Sequence, residues 1–92
     1  MQRRALGRTG ITLPQLGFGT ATLGDVFGAI DAQEAERAVR AGIDAGVDHF
    51  DTAPLYGFGL AETRLGQALR GRRDRVTLAT KCCRDGFDRF DF

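Results

Sequence analysis

Three residues of this chain could do proton chemistry together: Asp51, Tyr56 and Lys81. Lys81 is the only lysine among thirteen basic residues, and Tyr56 is the only tyrosine. A free phenol titrates near about 10 and is a poor acid or base at neutral pH. An ammonium group a few ångströms away stabilises the phenolate. A carboxylate beside that ammonium keeps it charged and in place. Such a trio suits a tyrosine to general acid–base catalysis at a carbonyl or hydroxyl. Each residue also has a plainer reading: Asp51 as a loop cap, Tyr56 as a surface turn residue, Lys81 as an ordinary ion-pair partner.

The trio can act only if the chain brings it to one rim. The first part reads as a hairpin over residues 4–13, with Ala5-Leu6 and Ile11-Thr12-Leu13 around the turn-rich Gly7-Arg8-Thr9-Gly10. Pro14 is expected to stop that strand. Residues 15–19 form a short apolar strand, and 21–30 read as loop. Asp31 is a good N-cap, and Glu34 completes a capping-box-like pair opening a helix over 31–45. Ala35, Val39, Gly42 and Ile43 make its narrow apolar stripe, and Gly46 closes it. Strand 47–51, a second helix over 60–70 with Ala61, Leu65, Ala68 and Leu69 on one face, and strand 76–80 follow. Arg72-Arg73-Asp74-Arg75 reads as a solvated connector.

A hairpin followed by β-α-β-α-β implies a parallel sheet with right-handed crossovers. It is either the start of a (β/α)8 barrel or a doubly wound sheet. In both, working residues sit at the carboxyl ends of strands, where Asp51 and Lys81 fall on neighbouring strands and Tyr56 on the loop above. The first βα turn, Gly17-Phe18-Gly19-Thr20-Ala21-Thr22, has threonine where a dinucleotide fingerprint needs its third glycine. A small Rossmann-like nucleotide binder is therefore the weaker reading.

Composition narrows the function classes. The 92 residues are 42% hydrophobic and 27% charged, with a net charge of +1. That near-neutral balance argues against a nucleic-acid partner, and no apolar run is long enough for a membrane helix. The adjacent Cys82 and Cys83 make no disulfide framework, which with the missing signal peptide points to a cytoplasmic protein. No metal ligand set is read.

The sequence resembles the aldo-keto reductases. The resemblance lies in Leu16-Gly17-Phe18-Gly19-Thr20, His49-Phe50-Asp51-Thr52-Ala53-Pro54-Leu55-Tyr56-Gly57, Glu62, Leu65-Gly66, Leu69 and Ala79-Thr80-Lys81. The tail, with Cys82-Cys83-Arg84 and Gly86-Phe87, looks most like the aldose (L-fucose, L-galactose, D-threo-aldose) dehydrogenase branch. The resemblance implies the N-terminal part of a (β/α)8 TIM barrel, incomplete here, and NAD or NADP as cofactor. It implies Tyr56 as proton donor or acceptor, Lys81 as the group that eases its ionisation, and Asp51 as the partner of Lys81, close to the nicotinamide ribose. Gly19, Thr20 and Ala21 would lie against the nicotinamide end. The substrate would be a small sugar or related carbonyl compound.

The family's catalytic group also includes a histidine after the fourth strand. His49 cannot stand for it, because it lies within strand 47–51 and reads as a packed interior residue. With three strands the chain is expected to expose sheet edges open to self-association, and to leave the inward faces of Leu16, Phe18, Phe50 and Leu78 without an opposing layer. Phe87, Phe90 and Phe92 read as a segment awaiting more protein. Alone, the chain is expected to be marginally folded and inactive. The alternative function is a non-catalytic remnant or interaction fragment.

Overall fold

The computed structural model describes residues 1–82 and the backbone of residues 84–85 and 89–90. Strand β1 (Arg3–Ala5) pairs antiparallel with β2 (Thr12–Pro14), Arg3 opposite Pro14. Pro14 thus ends the strand from inside it. The Gln15 N–H donates to the Gln2 carbonyl at 2.9 Å and the Leu6 N–H to that of Ile11 at 2.8 Å. Ladder bonds fall on alternate residues, so Pro14 occupies a position where no N–H is required. Arg3 Nη1 donates to both carboxylate oxygens of Asp48, at 2.9 and 3.0 Å. Asp48 immediately precedes the next-but-one strand, so the pair pins the hairpin under the main sheet.

That sheet has three parallel strands in the order β3 (Phe18–Gly19), β4 (His49–Asp51) and β5 (Thr77–Ala79). Strand order follows chain order in one direction, as in a barrel wall, without the reversal of a doubly wound sheet. Helix α1 (Ala32–Asp44) connects β3 to β4, and α2 (Leu60–Ala68) connects β4 to β5. Asp31 caps α1 by accepting from the Glu34 N–H at 2.7 Å. Its C-terminus is a Schellman turn: the Val47 N–H reaches the Gly42 carbonyl and the Gly46 N–H that of Ile43, with Gly46 at φ 88°. No helix among the described residues is long and apolar enough to cross a membrane.

The two faces of the sheet differ from expectation. Phe18, Phe50 and Leu78 stand side by side in register, and all three face the helices. Side chains alternate along a strand, so Phe50 and its neighbour Asp51 cannot share a face. Phe50 is completely buried with Val39, Ile43, Ala61, Leu65 and Ala68. The Phe18 ring lies 5.0 Å from that of Phe50. Helix α1 rides close on it: a Cβ at Gly42 would sit 3.0 Å from the Phe18 ring. Leu78 borders a groove of about 470 Å³ beside Leu65 and Leu69. Leu16 precedes β3 and is 62% exposed, so it belongs to neither face.

Two further segments depart from the reading above, and the tail adds a pair that the reading did not contain. The stretch after β3 contains a 3₁₀ turn over Ala21–Gly24, with Leu23 driven into the core. Arg72 is not simply solvated, since its guanidinium bonds the Ala68 carbonyl at the end of α2 at 2.6 Å. The tail forms a short antiparallel pair, β6 (Arg84–Asp85) with β7 (Arg89–Phe90). Cys83, Gly86, Phe87 and Phe92 lie outside the described residues. The face assignment has a direct check in chemical denaturation followed by circular dichroism. Phe50→Ala should cost about 3–5 kcal/mol, whereas Leu16→Ala should stay within about 0.5 kcal/mol of wild type.

Candidate active site

The register places Gly19 beside Asp51 and Asp51 beside Ala79. Because Phe50 points to the helices, Asp51 projects from the opposite, open face at the carboxyl end of β4. Beyond β5 the alternation continues. Thr80 turns toward α2, where its hydroxyl donates to Glu62 Oε2 at 2.7 Å, and Lys81 turns the other way. Lys81 Nζ donates to Asp51 Oδ1 at 2.9 Å and to the Thr52 carbonyl at 2.7 Å. It also stands over the Tyr56 ring, 5.3 Å from the centroid. The structure therefore brings Asp51, Tyr56 and Lys81 together at one rim.

The hydrogen bond to Asp51 holds the Lys81 pKa above its ordinary value of 10.5; partial desolvation opposes it, and the charges of Asp51 and Tyr56 add to it. Lys81 and Asp51 are 52% and 57% exposed. Solvent screens such a pair, so it contributes little to global stability and much to the placement of one ammonium group.

Tyr56 is held through its backbone. Its N–H donates to the Ala53 carbonyl at 3.2 Å, and its own carbonyl accepts from Ala61 N–H, in the first turn of α2, at 3.1 Å. On the other side the chain touches the 3₁₀ turn through two glycines. A Cβ on Gly24 would lie 2.5 Å from the Tyr56 carbonyl atoms, and one on Gly57 would collide with the backbone of Gly24. Gly57 also has a φ of 67°, which favours glycine by itself.

Of the residues expected near a nicotinamide, Gly19 is exposed, with open space where a Cβ would be, and Ala21 is half-buried. Thr20 is fully buried instead. Its N–H and its hydroxyl both donate to the Asp51 carbonyl, each at 3.0 Å. Thr20 thus ties the loop after β3 to the end of β4. His49 shares the open face with Asp51 but is half-buried, its Nδ1 2.8 Å from Thr77 Oγ1 and its ring against Gly17.

Arg64 escaped the sequence reading. It lies on α2 between Ala61 and Ala68, an arginine on an otherwise apolar stripe, and that position was its only signal. Its guanidinium bonds the carbonyls of Leu23 and Ile30 and the Asp25 carboxylate, each at 2.9 Å. Asp25, at φ 60°, also accepts from the Ile30 N–H at 3.1 Å. That backbone bond first, and Arg64 second, lower its pKa from 3.8.

A sequence profile described as the Aldo/keto reductase family matches residues 15–92. The chain belongs to that family. Among curated aldo-keto reductase relatives, it is 44% identical to pyridoxal 4-dehydrogenase of Microbacterium luteolum over 87% of its own length and 23% of that protein. It is 41% identical to L-galactose dehydrogenase of Arabidopsis thaliana, over 96% of its own length and 29% of the relative. It thus spans about a quarter of the curated relatives it matches. An aldo-keto reductase of Bacillus halodurans in its holo form superposes with a TM-score of 0.82 at 34% identity, covering 99% of this chain and 30% of that one. An aldo/keto reductase from Klebsiella pneumoniae, in complex with NADP and acetate, superposes with a TM-score of 0.69 at 45% identity, covering 77% of this chain and 24% of its own. The open three-stranded sheet corresponds to part of the family's barrel wall, and no closed barrel is formed by the described residues.

The two shifted groups set opposite pH limits. The folded state binds the Lys81 proton more tightly than the unfolded chain. The contribution of its pair with Asp51 is therefore complete below pH 10.5 and fades as pH rises through the folded-state value. The folded state releases the Asp25 proton more readily, so that contribution is present above pH 3.8 and fades as pH falls through the lower folded-state value. Urea titrations across pH should show a small flattening of the alkaline limb in Asp51→Asn and of the acid limb in Asp25→Asn, small because solvent screens both pairs.

Proposed function

We propose that the protein is an NAD(P)-dependent oxidoreductase that transfers hydride directly between a nicotinamide and the reacting carbon of an aldose or a related carbonyl or alcohol. The observation that carries this reading is Lys81 Nζ, held by Asp51 and the Thr52 carbonyl over the ring of the chain's single tyrosine. The nicotinamide, when bound, supplies or accepts the hydride. The surface at Gly19 and Ala21 beside Asp51 fits a flat ring: it is glycine-lined and open, and Thr20 keeps its side chain out of the way.

The chain's own residues handle the proton. The Tyr56 phenol gives a proton to the substrate oxygen in reduction and takes one in oxidation. The Lys81 ammonium stabilises the phenolate, the form left when Tyr56 gives up its proton in reduction and the form that takes one in oxidation. Asp51 anchors Lys81, and Thr20 anchors the strand end that carries Asp51. An aldose is favoured as substrate by the relatives named L-galactose dehydrogenase and D-threo-aldose 1-dehydrogenase, at 41% and 42% identity. The equally similar pyridoxal 4-dehydrogenase keeps the class as wide as a carbonyl or alcohol.

Oxidation of L-fucose, L-galactose or D-arabinose with NAD⁺ or NADP⁺, followed through the reduced nucleotide in a complete barrel carrying residues 1–92, tests the proposal, since the three strands alone are expected to be inactive. Tyr56→Phe should lower kcat by about 10²–10⁴-fold while leaving KM and the circular dichroism spectrum near wild type. Wild-type turnover in Tyr56→Phe would overturn the acid–base assignment.

A further inference from the structure

We infer that Arg64 is a positioning residue for Tyr56, acting through the loop between β3 and α1. The inference rests on the proposed role of Tyr56 but is carried by different contacts. Arg64 is 13% exposed and reaches three acceptors on one loop: the Leu23 carbonyl, the Asp25 carboxylate and the Ile30 carbonyl. A planar guanidinium presents five N–H donors in a fixed fork, a spread that an ammonium's single nitrogen or an amide's two donors does not match. It thereby closes residues 23–30 into a tight loop across α2, with Asp25 in the left-handed region at φ 60°. A non-glycine residue adopts that conformation at a cost, and the surrounding contacts must hold it there.

Gly24 lies between two of these anchor points, and its backbone presses against the carbonyl of Tyr56. The same carbonyl is bonded by Ala61, three residues ahead of Arg64 on α2. The backbone of Tyr56 is therefore clamped between the 3₁₀ turn and the start of α2, and Arg64 joins the two jaws. Loss of the guanidinium frees Asp25 to leave its left-handed conformation, and Gly24 moves with it. Tyr56 then loses the backing that keeps its ring under Lys81.

The single lysine makes this measurable without assuming any reaction. Lys81 Nζ lies over the Tyr56 ring, so the ring current displaces the NMR signal of the adjacent lysine ε-protons. Selective lysine labelling yields one such signal. The Tyr56→Leu variant defines its position without the ring. With the full chain, Arg64→Met should move the signal more than halfway from the wild-type position to that of Tyr56→Leu, and Arg64→Gln should move it in the same direction. Arg40→Met, which breaks the exposed Arg40–Glu36 pair on α1, should leave it in place. If Arg64→Met fails to fold, Arg64→Gln decides. A folded Arg64 variant with the wild-type lysine signal overturns the inference. A displaced signal supports it even where Tyr56→Phe retains turnover, a result that would count against the acid–base reading alone.

Discussion

The parallel register of β4 with its two neighbours determines where every polar group of the site can be. Phe50 opposite Phe18 and Leu78 sets which face meets the helices, and the burial of Phe50 fixes that choice energetically. A slip of one residue would send Asp51 into the apolar layer and Phe50 into solvent. With the register fixed, Asp51 and Lys81 meet at 2.9 Å although 30 positions separate them. The ion pair is weak as a source of stability because it is half exposed. Its significance is geometric, since it holds the chain's one lysine at its one phenol.

Around that pair the backbone does most of the positioning. Thr20 spends both of its donors on the Asp51 carbonyl, while Lys81 takes the carbonyl of Thr52. The end of β4 is thus held from both neighbouring strands. The backbone of Tyr56 is placed by close approach at Gly24 and Gly57, which explains glycine at two positions in separate loops. Arg64 supplies the side-chain cross-link from α2 to the first of those loops. Apolar layer, strand ends and loop clamp form successive tiers, each depending on the one beneath.

Much of this was legible from the residues themselves. The Asp31–Glu34 cap, the apolar stripes of both helices and the spacing of Asp51, Tyr56 and Lys81 are local or one-unit patterns, and family resemblance lies in the same segments. The face of the sheet is not legible from hydrophobicity alone, because apolar Phe18, Phe50 and Leu78 suit either a barrel interior or the layer under the helices. Alternation decides it, since polar Asp51 and His49 must take the face opposite Phe50. The 3₁₀ turn had no periodicity to reveal it. The role of Arg64 depends on partners up to 41 positions away, and no local pattern encodes such contacts. Pro14 does end its strand, and only its place as the last paired residue depends on a hydrogen-bonding phase set by the partner strand.

The titration midpoint of Lys81, read by NMR from a single ¹³Cε-labelled lysine, tests the central claim most directly. The account predicts a wild-type midpoint above that of a free lysine side chain, falling strongly in Asp51→Asn and less in Tyr56→Phe, because Asp51 is the larger cause. A midpoint at the free value in wild type, unmoved by either substitution, would contradict the claim that these three residues form one site.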